Sequence, residues 1–204
     1  MRLPYISDPP PTTTSEDSAI VSRIRARRAP RPLQALDLTL LHSPPVADGW
    51  NAFLGAVRTR TTLPASLREV AICRVAVCNE AWYEWAHHAP LARNEGGLSE
   101  NAIEILKKSR EELERIYHAA GEKEGVKEDT GLGEREWAVL LYADEMTRNV
   151  KVSDRTFDLL RSVCSEREVV EVTATVAAYN CVSRFLVALD VGERNGTGPI
   201  DVPH

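Results

Sequence analysis

Apolar residues recur at intervals of three and four in the long segments of this chain, none of which alternates as a strand does, so the pattern predicts helices and an all-α fold. Leu36, Leu38, Leu40 and Leu41 mark a short first candidate. After Pro44-Pro45, Val46, Trp50, Phe53, Leu54 and Val57 are spaced as a buried helical stripe would be. Residues 66–97, SLREVAICRVAVCNEAWYEWAHHAPLARNEGG, read as two successive apolar helices closed by Gly96-Gly97. NAIEILKKS after Ser99, a charged helix over residues 110–120, EREWAVLLYADEMTRN, SDRTFDLLRSV and a long pattern over residues 165–190 continue the series. Ahead of them, SEDSAIVSRIRARRA begins acidic and ends basic, as a helix dipole favours, before Pro30 and Pro32 stop it. Asn195-Gly196, the one hairpin-type turn, falls in the tail.

Residues 66–97 gather the candidate chemistry. Pro64 opens the first helix there, and Ser66 with Glu69 three residues on has the spacing of a capping box, in which Glu69 would only satisfy a backbone donor. Asn79-Glu80 supplies a turn, Asn79 tolerating a left-handed exit and Glu80 suiting the first turn of the next helix. That turn matters, because on one unbroken helix Glu69 and Glu84 would stand about 22 Å apart. Glu84 and His88 are four residues apart and share a helix face, so the carboxylate is expected to orient the imidazole as a general acid or base. Two glutamates and a histidine are also legitimate zinc or iron ligands, although their spacing is less specific than H-E-x-x-H.

At these residues the chain resembles the carboxymuconolactone decarboxylases, which share a fold with the alkylhydroperoxidase D (AhpD) proteins. The redox branch of that superfamily spaces Glu, two Cys and His so that the pattern starts at Glu69 and ends at His88. Its cysteine positions fall here on Ala81 and Glu84. YEWAHH at residues 83–88 looks instead like the YEW-x-x-H signature of the decarboxylase branch. The resemblance implies an AhpD-like helical bundle of two related halves and a cofactor-independent lyase or isomerase working by acid–base chemistry, without metal, on a small carboxylated lactone or keto acid. Glu69, Glu84 and His88 would be catalytic; Tyr83, Trp85 and Arg184 would bind substrate. A homo-oligomer is expected, a trimer, a multiple of it, or a dimer.

An internal echo supports related halves: SLREV at residues 66–70 recurs as SEREV at residues 165–169. Carried forward without gaps, it sets Ser183 opposite Glu84 and Val187 opposite His88. Only the first half then keeps the chemistry, with Tyr179, Asn180 and Arg184 the polar residues of the second half best placed to reach a cavity. The expected organisation is a proline-rich arm (1–15), one helical domain (16–192, halves about 33–120 and 134–192) around a linker at 121–133, and a tail (193–204).

Composition narrows the partners. With 43% hydrophobic and 27% charged residues, the 204-residue chain suits a globular domain with a real core. Its net charge of −5 gives no general attraction to nucleic acid, and its one arginine cluster, around Arg25, Arg27 and Arg28, is short. No apolar run is expected to reach membrane-span length, and the first residues lack a signal peptide's apolar core, so a cytoplasmic enzyme without membrane partner is expected. Cys73, Cys78, Cys164 and Cys181 have neither C-x-x-C nor zinc spacing and read as core residues. A thiol peroxidase is therefore disfavoured, and an oligomeric scaffold with a decayed site is the remaining alternative.

Overall fold

A computed structural model of the protein describes residues 1–122 and 130–200, and among these it has ten α-helices and no strand. They are α1 (Ser15–Arg28), α2 (Ala35–Leu40), α3 (Pro44–Thr59), α4 (Ala65–Cys78), α5 (Trp82–Asn94), α6 (Glu100–Leu106), α7 (Arg110–Glu122), α8 (Glu134–Asn149), α9 (Asp154–Val163) and α10 (Glu166–Leu189). The expected linker at residues 121–133 begins inside α7, and its residues 123–129 lie outside the described ones.

Helix α4 is the axis of the bundle. Val70, Ala71, Ile72, Cys73, Val75 and Ala76 are all fully buried, because a helix that is apolar all round has no face for water. It packs against α5, α8 and α10. On one side it carries the buried Arg74, which donates to Asp144 Oδ1 of α8 at 2.9 Å and to the carbonyls of Leu106 and Lys108 at 2.8 and 2.7 Å. Arg110 and Arg148 complete the cage around Asp144. This pair ties α4 to α8 and to the α6–α7 junction; removing one partner would leave the other charge buried and uncompensated, at a cost of about 3–5 kcal/mol.

The turn between α4 and α5 differs in detail from expectation. Asn79 ends α4 with a right-handed φ of −99°, while Glu80 takes the left-handed conformation at φ 51° and lies before the helix start. Asn79 is held by its own side chain, which donates to Asn180 Oδ1 at 3.2 Å. The chain reverses here as required, laying α5 back along α4.

Helix α10 is long and apolar enough to span a membrane by length and composition, contrary to the expectation that no run would be. It is a core helix instead: Val172, Val176, Tyr179, Val182 and Leu186 are buried against the bundle. Ahead of the bundle, α1 packs on α3, with Arg23 bidentate to Asp48 at 3.0 and 2.8 Å. The N-terminal arm lies on its own body, Arg2 N–H donating to the Leu189 carbonyl at 2.8 Å and Ile6 N–H to that of Leu38 at 3.2 Å.

Candidate active site

Antiparallel α4 and α5 bring Glu69 and His88 together, and α10 closes over them. His88 Nδ1 lies 2.6 Å from Glu69 Oε2, and both side chains are buried. Glu69 Oε1 accepts from Arg68 Nε at 3.1 Å. On the other side of the ring, the Tyr179 hydroxyl of α10 sits 3.2 Å from His88 Nε2, its ring edge-on to the imidazole at 5.0 Å. The result is a linear chain, Glu69–His88–Tyr179, spanning residues far apart in sequence.

The protonation states follow from the surroundings. Burial resists a charge on Glu69, yet His88 and the Arg58 and Arg68 guanidiniums prevail and lower its pKa. Burial lowers the pKa of His88 despite the carboxylate beside it. The pair is thus an ionised glutamate and a neutral imidazole, with Nδ1–H donating to the carboxylate and Nε2 free to accept from Tyr179. Burial pushes the Tyr179 phenol well above its usual value, so it holds its proton and donates it.

The expected partnership of Glu84 with His88 is not formed. Although the two share a face of α5, both nitrogens of His88 are engaged by Glu69 and Tyr179, and Glu84 Oε2 accepts from Ser183 Oγ of α10 at 3.0 Å. Nor does Glu69 cap its helix. Helix α4 starts at Ala65 with Pro64 as its N-cap, so Ser66 is already inside the first turn and donates to Glu136 Oε1 at 2.8 Å. This leaves Glu69, a turn further in, free to reach His88.

His88, Tyr179 and Glu84 open on a cavity of about 190 Å³ between α1, α3, α5 and α10. Leu54, Leu91, Val182 and Leu186 give apolar walls, while Tyr83, Glu84, His87, His88 and Tyr179 supply the polar ones. Tyr83 stacks on His87 at 4.3 Å, and burial pushes its phenol pKa up to about 12. Arg27, Arg28, Arg31 and Arg58 also line the cavity. Arg28 is committed to the buried Asp37 through two bonds of 2.8 Å, and Arg27 donates to Asn51. Burial and the like charges of Arg28 and Arg58 lower the pKa of Arg27, so an anion placed there relieves mutual repulsion. Arg58 has no ion-pair or hydrogen-bond partner for its guanidinium among the described residues.

Three sequence-derived candidates fall outside the cavity lining; the first, Glu69, meets it only through His88. Trp85 is 1% exposed and packs in the core, and Arg184 is exposed, bonded to the Asn180 carbonyl at 3.1 Å. Asn180 serves the turn, bonding Thr147 at 3.0 Å and accepting from Asn79. Conversely, no motif points Arg27 or Arg58 to the site, and the internal echo marks Ser183 only as a position without a carboxylate. The signal for Arg27 lay in the basic run that closes α1 ahead of Pro30. Among the described residues, no three His, Cys, Asp or Glu side chains converge as metal ligands. No cysteine lines the cavity; Cys78 donates to Asp144 at 3.3 Å, and burial pushes its thiol up to about 11.

Residues 44–111 match the model of the carboxymuconolactone decarboxylase family. No curated protein sequence matches the chain. Among solved structures, an uncharacterised peroxidase-related protein with an alkylhydroperoxidase AhpD core from Ralstonia eutropha JMP134 superposes with a TM-score of 0.70 at 17% identity, covering 98% of this chain and 97% of that one. A peroxidase-related protein from Silicibacter sp. TM1040 gives 0.67 at 16% identity over 95% of both. The debrominase Bmp8, solved with 2,3,4-tribromopyrrole, gives 0.64 at 17% identity over 93% of this chain and 91% of its own. At these identities the likeness is one of fold.

Proposed function

We propose that this chain, which has an AhpD-like fold and matches the carboxymuconolactone decarboxylase family model over residues 44–111, is a cofactor-independent acid–base enzyme, a lyase or isomerase acting on a small carboxylated lactone or keto acid. The observation that carries this reading is the Glu69–His88–Tyr179 chain ending at the wall of a small cavity that is also lined by arginines. Arg58 and Arg27 attract a carboxylate; the apolar walls exclude water around the reacting carbon.

In the lyase form of the reaction the bond between the carboxylate and its carbon breaks. Its electron pair passes into an enolate, CO₂ leaves, and the carbon takes a proton. Tyr179 supplies that proton from its hydroxyl and is reprotonated from solvent through His88, whose imidazolium Glu69 stabilises during transfer. In an isomerase the same relay removes a proton from one carbon and returns it to another. Thiol peroxidase chemistry needs a low-pKa thiol beside a resolving one, and here Ala81 and Glu84 occupy those positions while the Cys78 thiol is raised. A site of this kind works on a small molecule, in a cytoplasmic homo-oligomer; Val46 and Phe53, exposed on α3, are candidate interface residues.

The test is turnover on a panel of small keto acids and carboxylated lactones, followed by CO₂ release and by deuterium incorporation in D₂O. At least one member is expected to react, and folded His88→Ala should lose about 10²-fold or more. Full activity in folded His88→Ala would remove the relay from the mechanism.

A further inference from the structure

Glu84 is the buried titratable group that the relay leaves without a role. Its side chain is 2% exposed and lines the cavity, yet Oε1 has no hydrogen-bond partner. Its other oxygen meets only Ser183, whose single hydroxyl proton has a second acceptor in the Tyr179 carbonyl at 2.8 Å. None of the four arginines around the cavity forms an ion pair with it. A carboxylate in this position would be a buried charge with one shared hydrogen bond, which is a poor exchange for hydration. We propose that Glu84 is a carboxylic acid whose Oε1 hydrogen-bonds a carbonyl oxygen of the substrate, donates a proton to it as electrons arrive, and takes that proton back.

Burial agrees, holding the Glu84 pKa well above the usual carboxylate value against the hydrogen bond from Ser183. Ser183 makes the exchange reversible. When Ser183 Oγ–H points to the Tyr179 carbonyl, the acid proton sits on Oε2 and is donated to Oγ, leaving Oε1 an acceptor. When Oγ–H turns to Oε2, the acid proton sits on Oε1, the oxygen without a protein partner, as a donor. A ketone or lactone carbonyl selects the donor form; an enol selects the acceptor form. This role rests on the proposed function for its substrate class, a carboxylate with a carbonyl that receives the electron pair of the breaking bond, and for Tyr179 as the proton donor to carbon. The C–C bond electrons become the enol double bond, the carbonyl oxygen gains the Glu84 proton, and CO₂ departs. Tyr179 then protonates carbon while the enol O–H returns its proton to Glu84, so that one solvent proton is consumed overall.

The role is read without turnover. In infrared difference spectra of the wild type against Glu84→Gln at neutral pH, the carbonyl stretch of a protonated carboxyl should be present in the wild type and absent from the variant. Levulinate (4-oxopentanoate), which carries a carboxylate and a ketone, should shift that band, whereas pentanoate, which lacks the ketone, should not. By calorimetry the wild type should bind levulinate about 5- to 10-fold more tightly than pentanoate, as one hydrogen bond is worth. Glu84→Gln, whose amide N–H still donates, should keep the preference, and Glu84→Leu should lose it. Absence of the carboxyl band, or a ketone preference that survives in Glu84→Leu, would overturn the proposal. If no panel substrate reacts, the acid–base reading fails while the band and the ketone preference still decide the role of Glu84.

Discussion

Two stretches of this protein share a pattern and put it to different uses. In SEREV at residues 165–169, Ser165 is the N-cap of α10, its Oγ accepting from Glu168 N–H at 3.3 Å while Glu168 accepts from Ser165 N–H at 2.9 Å. In SLREV at residues 66–70 the same spacing caps nothing. Pro64, with φ fixed near −52° and no N–H to satisfy, starts the helix one residue before the serine, and its carbonyl already accepts from Arg68 N–H at 3.1 Å. The shift turns the following glutamate inward, fully buried and 2.6 Å from His88. Two residues of helix phase separate a surface cap from a candidate catalytic carboxylate. The halves then diverge further: the first breaks at Asn79 to Ala81 and folds back, whereas the second runs on unbroken and delivers Tyr179 and Ser183 to the acids of the first.

The sharpest way to break this comparison is to neutralise both glutamates in turn. Glu69→Gln should lower turnover by about 10²-fold or more while Glu168→Gln leaves it unchanged, and Glu69→Gln/His88→Ala should be little worse than His88→Ala because the pair acts as a unit. Equal losses in the two single variants would mean that Glu69 too is structural. Next in size, Tyr179→Phe should cost roughly tenfold or more in turnover with little change in melting temperature, since only the relay hydroxyl goes.

Stability against pH should separate the buried acids by sign. The pKa of Glu69 is lowered on folding, so its contribution is present above the usual value of 4.5 and is lost as pH falls through the folded value. His88 is lowered from 6.5, so the unfolded chain protonates first and stability again drops on acidification. Glu84 is raised, so its contribution is present below 4.5 and is lost as pH rises through the folded value. Melts across this range should show Glu69→Gln flattening the acid-side loss and Glu84→Gln flattening the opposite slope; parallel profiles would contradict the assigned protonation states.

Smaller still, Glu168→Ala should cost about 1 kcal/mol of stability, the usual worth of a cap, read as a shift in denaturation midpoint. Replacing Cys73, Cys78, Cys164 and Cys181 together by Ala or Ser should leave turnover of the folded protein intact, because none lines the cavity. Loss of turnover there would revive thiol chemistry.

The sequence by itself determined the helices, since a period near 3.6 is a property of neighbouring residues, and it determined which residues could do acid–base work and that thiols were absent from the redox positions. It also located the reversal that brings Glu69 back to His88. Only the tertiary structure decided the partners. Spacing of four put Glu84 beside His88 on α5, but the facing helices settled which carboxylate reached the ring: Glu69 from α4 took Nδ1, and Glu84 turned to Ser183. Trp85 shows the same limit, its place in the signature giving no clue that its face of α5 points into the core. The internal echo marked Tyr179 as able to reach a cavity, but it lies 91 residues from His88, and Arg27 reaches the cavity only because α1 lies on α3, so no local pattern could name the partner of either. Protonation was beyond the sequence for a related reason. Two glutamates with the same intrinsic acidity end as an anion and a neutral acid because packing gave one a cationic neighbourhood and the other only a hydroxyl.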